Sequence, residues 1–110
     1  MGAPYQYIVV KDANSRGVIG CQSGHAAGES MVVEHVRDYN PADIHIVLLA
    51  ANHCEDLEAL GRALVADGIP HAVIRETDPP YNGQATAVGI SPTRDRDRIR
   101  PFVEQFKVLR

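Results

Sequence analysis

Cysteine is scarce in this 110-residue chain, and long apolar runs are missing from it. The two cysteines, Cys21 and Cys54, form neither a C-x-x-C pair nor a dense framework. That argues against a disulfide scaffold or a structural zinc site and for a reducing compartment. No segment approaches the ~18 apolar residues of a membrane span. The start, MGAPYQYIVVKD, has no basic region followed by a long apolar stretch, so the cytoplasm is the expected location. Lysine is also rare, with Lys11 and Lys107 against nine arginines, and the formal net charge is −3. A simple nucleic-acid story fits such a balance poorly, because phosphate binders usually carry an excess of cations.

What remains is an ordinary globular composition, 45% apolar and 23% charged, with no internal repeat, low-complexity tract or linker. Residues 1–110 read as one domain with one core, able to bury roughly two thirds of its unfolded surface. Tyr5 to Val10 is aromatic and β-branched, as in a strand entering a covered sheet. The turn Asp12 to Gly17 follows, and Asn14 or Ser15 can cap a helix running toward Tyr39 before the Asn40-Pro41 stop. Ile44 to Ala50 suits a second strand. Asn52 can cap a helix from about His53 to Ala66, with Leu57, Leu60, Leu64 and Val65 on its apolar side and Asp67-Gly68 as its exit.

His71 to Arg75 and Ala85 to Ile90 read as two more strands around an irregular loop, Thr77 to Gly83, in which Asn82-Gly83 is a generic turn signal. Arg96 to Val108 reads as a closing helix, with Pro101 tolerated only in its first turn. The order β-α-β-α-β-β-α predicts an α/β fold with four strands and helices on both faces of the sheet. The run of Arg94, Arg96, Arg98 and Arg100 is a basic patch diluted by Asp and Ile, and its plain reading is the solvated, salt-bridged start of that last helix, with a phosphate-facing patch as the alternative.

Polar residues interrupt this pattern in two places. In the first helix, Val18, Gln22, His25, Glu29, Val32 and Val36 fall in a narrow arc, bringing Gln22, His25 and Glu29 to one side near the helix start. Gly20, Gly24, Ala26, Ala27 and Gly28 suit close packing on the sheet. The second place is Arg75-Glu76-Thr77-Asp78 at a strand end, with Gly83-Gln84-Ala85-Thr86 leading into the next strand. Strand ends in α/β sheets often carry ligand groups, and a carboxylate there can orient water. Each residue also has a plain structural reading: a backbone-satisfied imidazole for His25, surface groups for Gln22 and Glu29, a turn for Asp78-Pro79-Pro80, a strand β-branch for Thr86.

Taken in order, Tyr7-Ile-Val-Val-Lys-Asp12, Gln22-Ser-Gly-His-Ala-Ala27, Ile74-Arg-Glu76, Gly83-Gln-Ala-Thr-Ala-Val-Gly-Ile90 and Phe106-Lys-Val-Leu109 resemble successive landmarks of the peptidyl-tRNA hydrolase family of archaea and eukaryotes. The resemblance spans residues 5 to 109 and implies a mixed four-stranded sheet of the type II peptidyl-tRNA hydrolase kind, often paired as a homodimer. It implies metal-free, cofactor-free hydrolysis of the ester joining a peptide to the terminal ribose of tRNA. On that pattern Glu76 or Asp78 is the base or water-orienting group, Thr86 a hydrogen-bonding group, and His25 and Gln22 its polar support. Arg16, Gln22, Lys11 and Gly83 are the expected substrate contacts, with the tRNA acceptor end as partner. The chain departs from the family's Gly-Lys-Gly-Lys type turn with Ser15-Arg16-Gly17-Val18, leaving Arg16 as the charge there. A catalytically impaired tRNA- or protein-binding module with the same fold is therefore the alternative reading.

Overall fold

The computed structural model describes residues 3–12, 16–33 and 41–109. Branched and aromatic runs form the strands β1 (Tyr5–Lys11), β2 (His45–Ala51), β3 (His71–Glu76) and β4 (Gln84–Ile90), joined in one sheet by a short β5 (Lys107–Val108). The sheet order is β3-β4-β1-β2-β5, mixed in direction: β1 and β2 are parallel, while β4 is antiparallel to both β1 and β3, and β5 to β2. The sheet thus has five strands where four were expected. Among the described residues no helix is long and apolar enough to cross a membrane.

Helices cover both faces. On one, α1 (Arg16–Val33) closes over Ile8, Val10, Ile74 and Ala87 through Ala26. On the other, α2 (Cys54–Ala66) buries Leu57, Leu60 and Leu64 against Tyr7, Val9, Leu49, Val88 and Ile90, and α3 (Arg96–Val103) adds Ile99 and Val103. Alternation along β1 divides its side chains between the two layers, as a period of two requires.

Several expectations are corrected here. The closing helix stops at Val103 rather than Val108, with Pro101 in its interior. The chain beyond it turns back so that Lys107 and Val108 pair with Ala50 and Leu49 as β5. Val65 lies off the buried side of α2, 68% exposed, and His53 rather than Asn52 is the N-cap, making no side-chain capping bond. Gly68 leaves α2 at φ 66, a left-handed exit that glycine adopts freely. Asp95 caps α3 by accepting from the Arg98 N–H. The arginine run is tied down locally: Arg96 donates to the Tyr7 hydroxyl at 2.9 Å and stacks 3.7 Å over the Tyr5 ring, Arg98 donates to the Asp67 carbonyl, and Arg100 pairs with Asp97.

The arc predicted for α1 also differs. Its buried side runs through Ile19, Gln22, Ser23, Ala26, Ala27 and Ser30, while His25 and Glu29 are exposed and Val32 is 78% exposed. A Cβ added at Gly20, Gly24 or Gly28 would meet nothing within 4 Å, so these glycines are not the close contact with the sheet. That contact is made by Ala26 against Gly89 of β4, where a Cβ would overlap the Ala26 carbonyl oxygen. Buried polar groups pin the approach: Gln6 donates to the Ala27 carbonyl and Ser30 hydroxyl, and Ser91 donates to the Ser30 carbonyl at 2.7 Å. The proposed caps Asn14 and Ser15, the helix end near Tyr39 and Val36 lie outside the described residues.

Candidate active site

The carboxyl end of β1 and the start of β4 border a cleft of about 30 Å³, lined by Lys11, Val18, Gln22, Glu76, Tyr81 and Thr86 with Val10 and Ile19 behind them. A β-bulge places one of these groups. Pairing of β3 with β4 steps from Ile74↔Ala87 to Arg75↔Ala85, leaving Thr86 as the extra residue. An extra residue shifts the alternation and re-aims a side chain. Here Ala85 belongs to the α2-side core, and Thr86 turns its hydroxyl toward α1.

The result is a chain of hydrogen bonds. Thr86 Oγ1 donates to Gln22 Oε1 at 3.0 Å, and Gln22 Nε2 donates to Glu76 Oε2 at 3.3 Å. The other carboxylate oxygen, Glu76 Oε1, accepts the Asp78 backbone N–H at 3.1 Å. Because its oxygen faces a hydroxyl donor and its nitrogen a carboxylate, the Gln22 amide has one sensible orientation, with its second N–H unused among the described residues. Thr86 is buried and Gln22 and Glu76 are half-buried, so these polar groups need one another.

The other residues singled out in the sequence stand apart from this chain. His25 is exposed and does not line the cleft. One helical turn beyond Gln22, it sits on the outer side of α1, because the helix phase is set by Ala26 against Gly89. Asp78 contributes its backbone N–H to Glu76, while its exposed side chain is not in the lining. Gly83, at φ 89, donates its N–H to the Glu76 carbonyl and accepts from Arg75 at 3.2 Å, closing the loop behind Glu76. Arg16 opens α1, exposed and outside the lining. Lys11 borders the cleft, but its ammonium donates to the Asp12 carbonyl at 2.7 Å. That ammonium also acts on Cys54, where burial pushes the thiol up and Lys11 partly offsets it. Val18 lines the cleft. Tyr81, which the sequence reading did not single out, lines it too, brought there by the turn in which Tyr81 N–H donates to the Asp78 carbonyl. Among the described residues, no group of three or more His, Cys, Asp or Glu could hold a metal ion.

Behind the loop, Arg75 bonds Glu58 at 2.8 Å, and Glu58 also accepts the Ala85 N–H at 3.2 Å. The bond from Arg75, then that from Ala85, hold the Glu58 carboxyl below its ordinary 4.5. A lowered folded-state value means that this pair stabilises the fold above pH 4.5 and that its contribution fades as pH falls through the folded value. Glu58→Gln is therefore expected to lower stability by about 1 kcal/mol at neutral pH. Thermal unfolding at neutral pH and at about pH 3 checks this, the gap to the unsubstituted protein closing at the acid end.

A family model described as peptidyl-tRNA hydrolase PTH2 matches residues 5–109. Among solved structures, that of a protein of unknown function from Agrobacterium tumefaciens strain C58 is similar with a TM-score of 0.77 at 12% identity, covering 100% of both chains. At that identity the likeness bears on the fold alone. No curated protein matches the chain.

Proposed function

The chain belongs to the peptidyl-tRNA hydrolase PTH2 family, and on that premise we propose that it hydrolyses the ester bond of peptidyl-tRNA, or of N-blocked aminoacyl-tRNA, releasing peptide and free tRNA. Family membership supports peptidyl-tRNA hydrolase activity in general. The observation that carries the reading for these residues is the Thr86–Gln22–Glu76 hydrogen-bond chain in a cleft whose volume of about 30 Å³ can admit a water. Glu76 accepts a proton from that water as its oxygen adds to the ester carbonyl carbon. The spare Gln22 N–H donates to the oxyanion. Collapse of the tetrahedral intermediate breaks the bond to the ribose oxygen, which takes the proton back from Glu76. The proposal carries with it the tRNA acceptor end as partner, the homodimer and the cytoplasmic setting expected above.

Incubation with N-acetyl-aminoacyl-tRNA tests the activity: release of free tRNA above a buffer control is the expected result, and none at any enzyme concentration would defeat it. Thr86→Val keeps the β-branch but removes the donor that fixes Gln22, so kcat is expected to fall about tenfold, the loss of roughly one oriented hydrogen bond. Circular dichroism would check that the fold persists.

A second reading has its own observation. Val18 lines the cleft in place of a lysine, Arg16 lies outside the lining and the Lys11 ammonium is bound to the Asp12 carbonyl. With Val18 there instead of a second cation beside Lys11, the same cleft would serve a binding module for the tRNA acceptor end or a protein. Salt-sensitive tRNA affinity without turnover would favour that alternative.

A further inference from the structure

Among the described residues, β3 pairs only with β4 and forms one edge of the sheet. The even-numbered positions face inward: Pro70 O, just before the strand, accepts from Ser91 N–H, Ala72 and Ile74 stand opposite Gly89 and Ala87, and Glu76 O accepts from Gly83 N–H. Backbone groups alternate along a strand of an antiparallel pair, so the N–H and C=O of His71, Val73 and Arg75 point to the open side. Long free edges are usually blunted by charge, proline or a covering element. Here the edge borders a groove of about 340 Å³ between β3 and α2, lined by Glu58, Gly61, Arg62 and Val65 on the helix and His71, Val73 and Arg75 on the strand, with charge at the Arg75–Glu58 pair and Arg62. Gly61 brings the helix close, since a Cβ there would lie 3.2 Å from the Val73 side chain.

The position of this edge is what gives it a role. β3 ends in Glu76, which lines the cleft, and the last open backbone group before it is that of Arg75. We infer that the open edge of β3 holds the peptide moiety of the substrate as an added parallel strand, an inference that rests on the hydrolase reading above. The direction follows from chemistry. The ester lies at the peptide's carboxyl end, and only a strand parallel to β3 carries that end toward Glu76. Main-chain pairing also suits a substrate whose peptide has no fixed sequence, because backbone N–H and C=O are common to all peptides while alternate side chains rest in the groove. At ~3.3 Å per residue, the stretch from 71 to 75 accommodates roughly four substrate residues.

The experiment compares N-acetyl-aminoacyl-tRNA with N-acetyl-tetrapeptidyl-tRNA on the full chain. The longer substrate is expected to show kcat/KM about tenfold higher or more, mainly through KM. Val73→Pro removes an outward N–H at a position where an edge strand tolerates proline. It should abolish the length effect and leave turnover of N-acetyl-aminoacyl-tRNA unchanged. A tetrapeptidyl substrate N-methylated along its backbone makes the same cut without altering the protein. A kcat/KM independent of length, or a length effect that survives both changes, overturns the inference while the hydrolase reading stands. Should neither substrate be hydrolysed, the hydrolase reading fails, and the edge is then judged by amide shifts on titration with an N-acetyl tetrapeptide methyl ester. Shifts confined to residues 71, 73 and 75 would support strand addition, and their absence would overturn it.

Discussion

Replacing Gly89 by alanine is expected to lower the thermal midpoint on the order of 15 °C, the effect of about 3 kcal/mol of overpacking in a domain of this size. The added Cβ would overlap the Ala26 carbonyl oxygen and stand 2.9 Å from both the Ala26 carbonyl carbon and the Ser30 hydroxyl oxygen. None of these can swing aside. Ala26 is helix backbone, and Ser30 is held by Gln6 through its hydroxyl and by Ser91 through its carbonyl. The whole helix must lift. Gln22 lies one turn from Ala26, so the same movement would stretch its 3.0 Å bond to Thr86, and activity should fall along with stability. Gly24→Ala is the matched control, because a Cβ there meets nothing within 4 Å. It should raise stability by roughly 0.5–1 kcal/mol through helix propensity alone. A Gly89→Ala protein that melts with the unsubstituted chain would show that the helix does not rest on this glycine.

The pair of glycine substitutions also separates what the sequence makes legible from what it does not. The longer strands are readable within a residue or two because branched residues cluster in them and polar turns bound them, as in Ala85 to Ile90 against the observed Gln84–Ile90. β5 is not readable: two exposed residues following a helical pattern carry no alternation, and only their pairing with β2 makes them a strand. In α1 the inner side is built largely from Ala and Ser and the outer side is rich in Gly, so hydrophobicity gives almost no phase. The arc through Gln22, His25 and Glu29 accordingly does not coincide with the buried side: Gln22 reaches the cleft while His25 and Glu29 are exposed. The fact that sets the phase, a missing side chain at Gly89 on another element, is a relation between distant residues. The same holds at the cleft. Gln22, Glu76 and Thr86 stand out in the sequence as polar interruptions, but their meeting depends on the bulge at Thr86, which adds a residue without a local signal. Neither the outward placement of Arg16 nor the turn of Lys11 onto Asp12 is written in their spacing.

Glu76→Gln is expected to reduce kcat by at least about 10²-fold, the usual contribution of a positioned general base, with little change in KM. The substitution keeps the shape of the side chain, and the amide oxygen can still accept from Gln22 or from the Asp78 N–H, so the hydrogen-bond chain and the fold should survive. What disappears is the group able to take a proton from water. Asp78→Asn is the discriminating partner experiment. The Asp78 side chain is exposed and outside the cleft, and its backbone N–H, which supports Glu76, is untouched by the change. It should therefore retain activity within about twofold, since substitutions on an exposed surface usually change little. Single-turnover release from N-acetyl-aminoacyl-tRNA measures both variants. The reverse pattern would assign the base to Asp78 and require the loop to rearrange on binding. If both variants kept full rates, neither carboxylate would act on the water, and the work would rest on the Gln22 amide and the Thr86 hydroxyl alone.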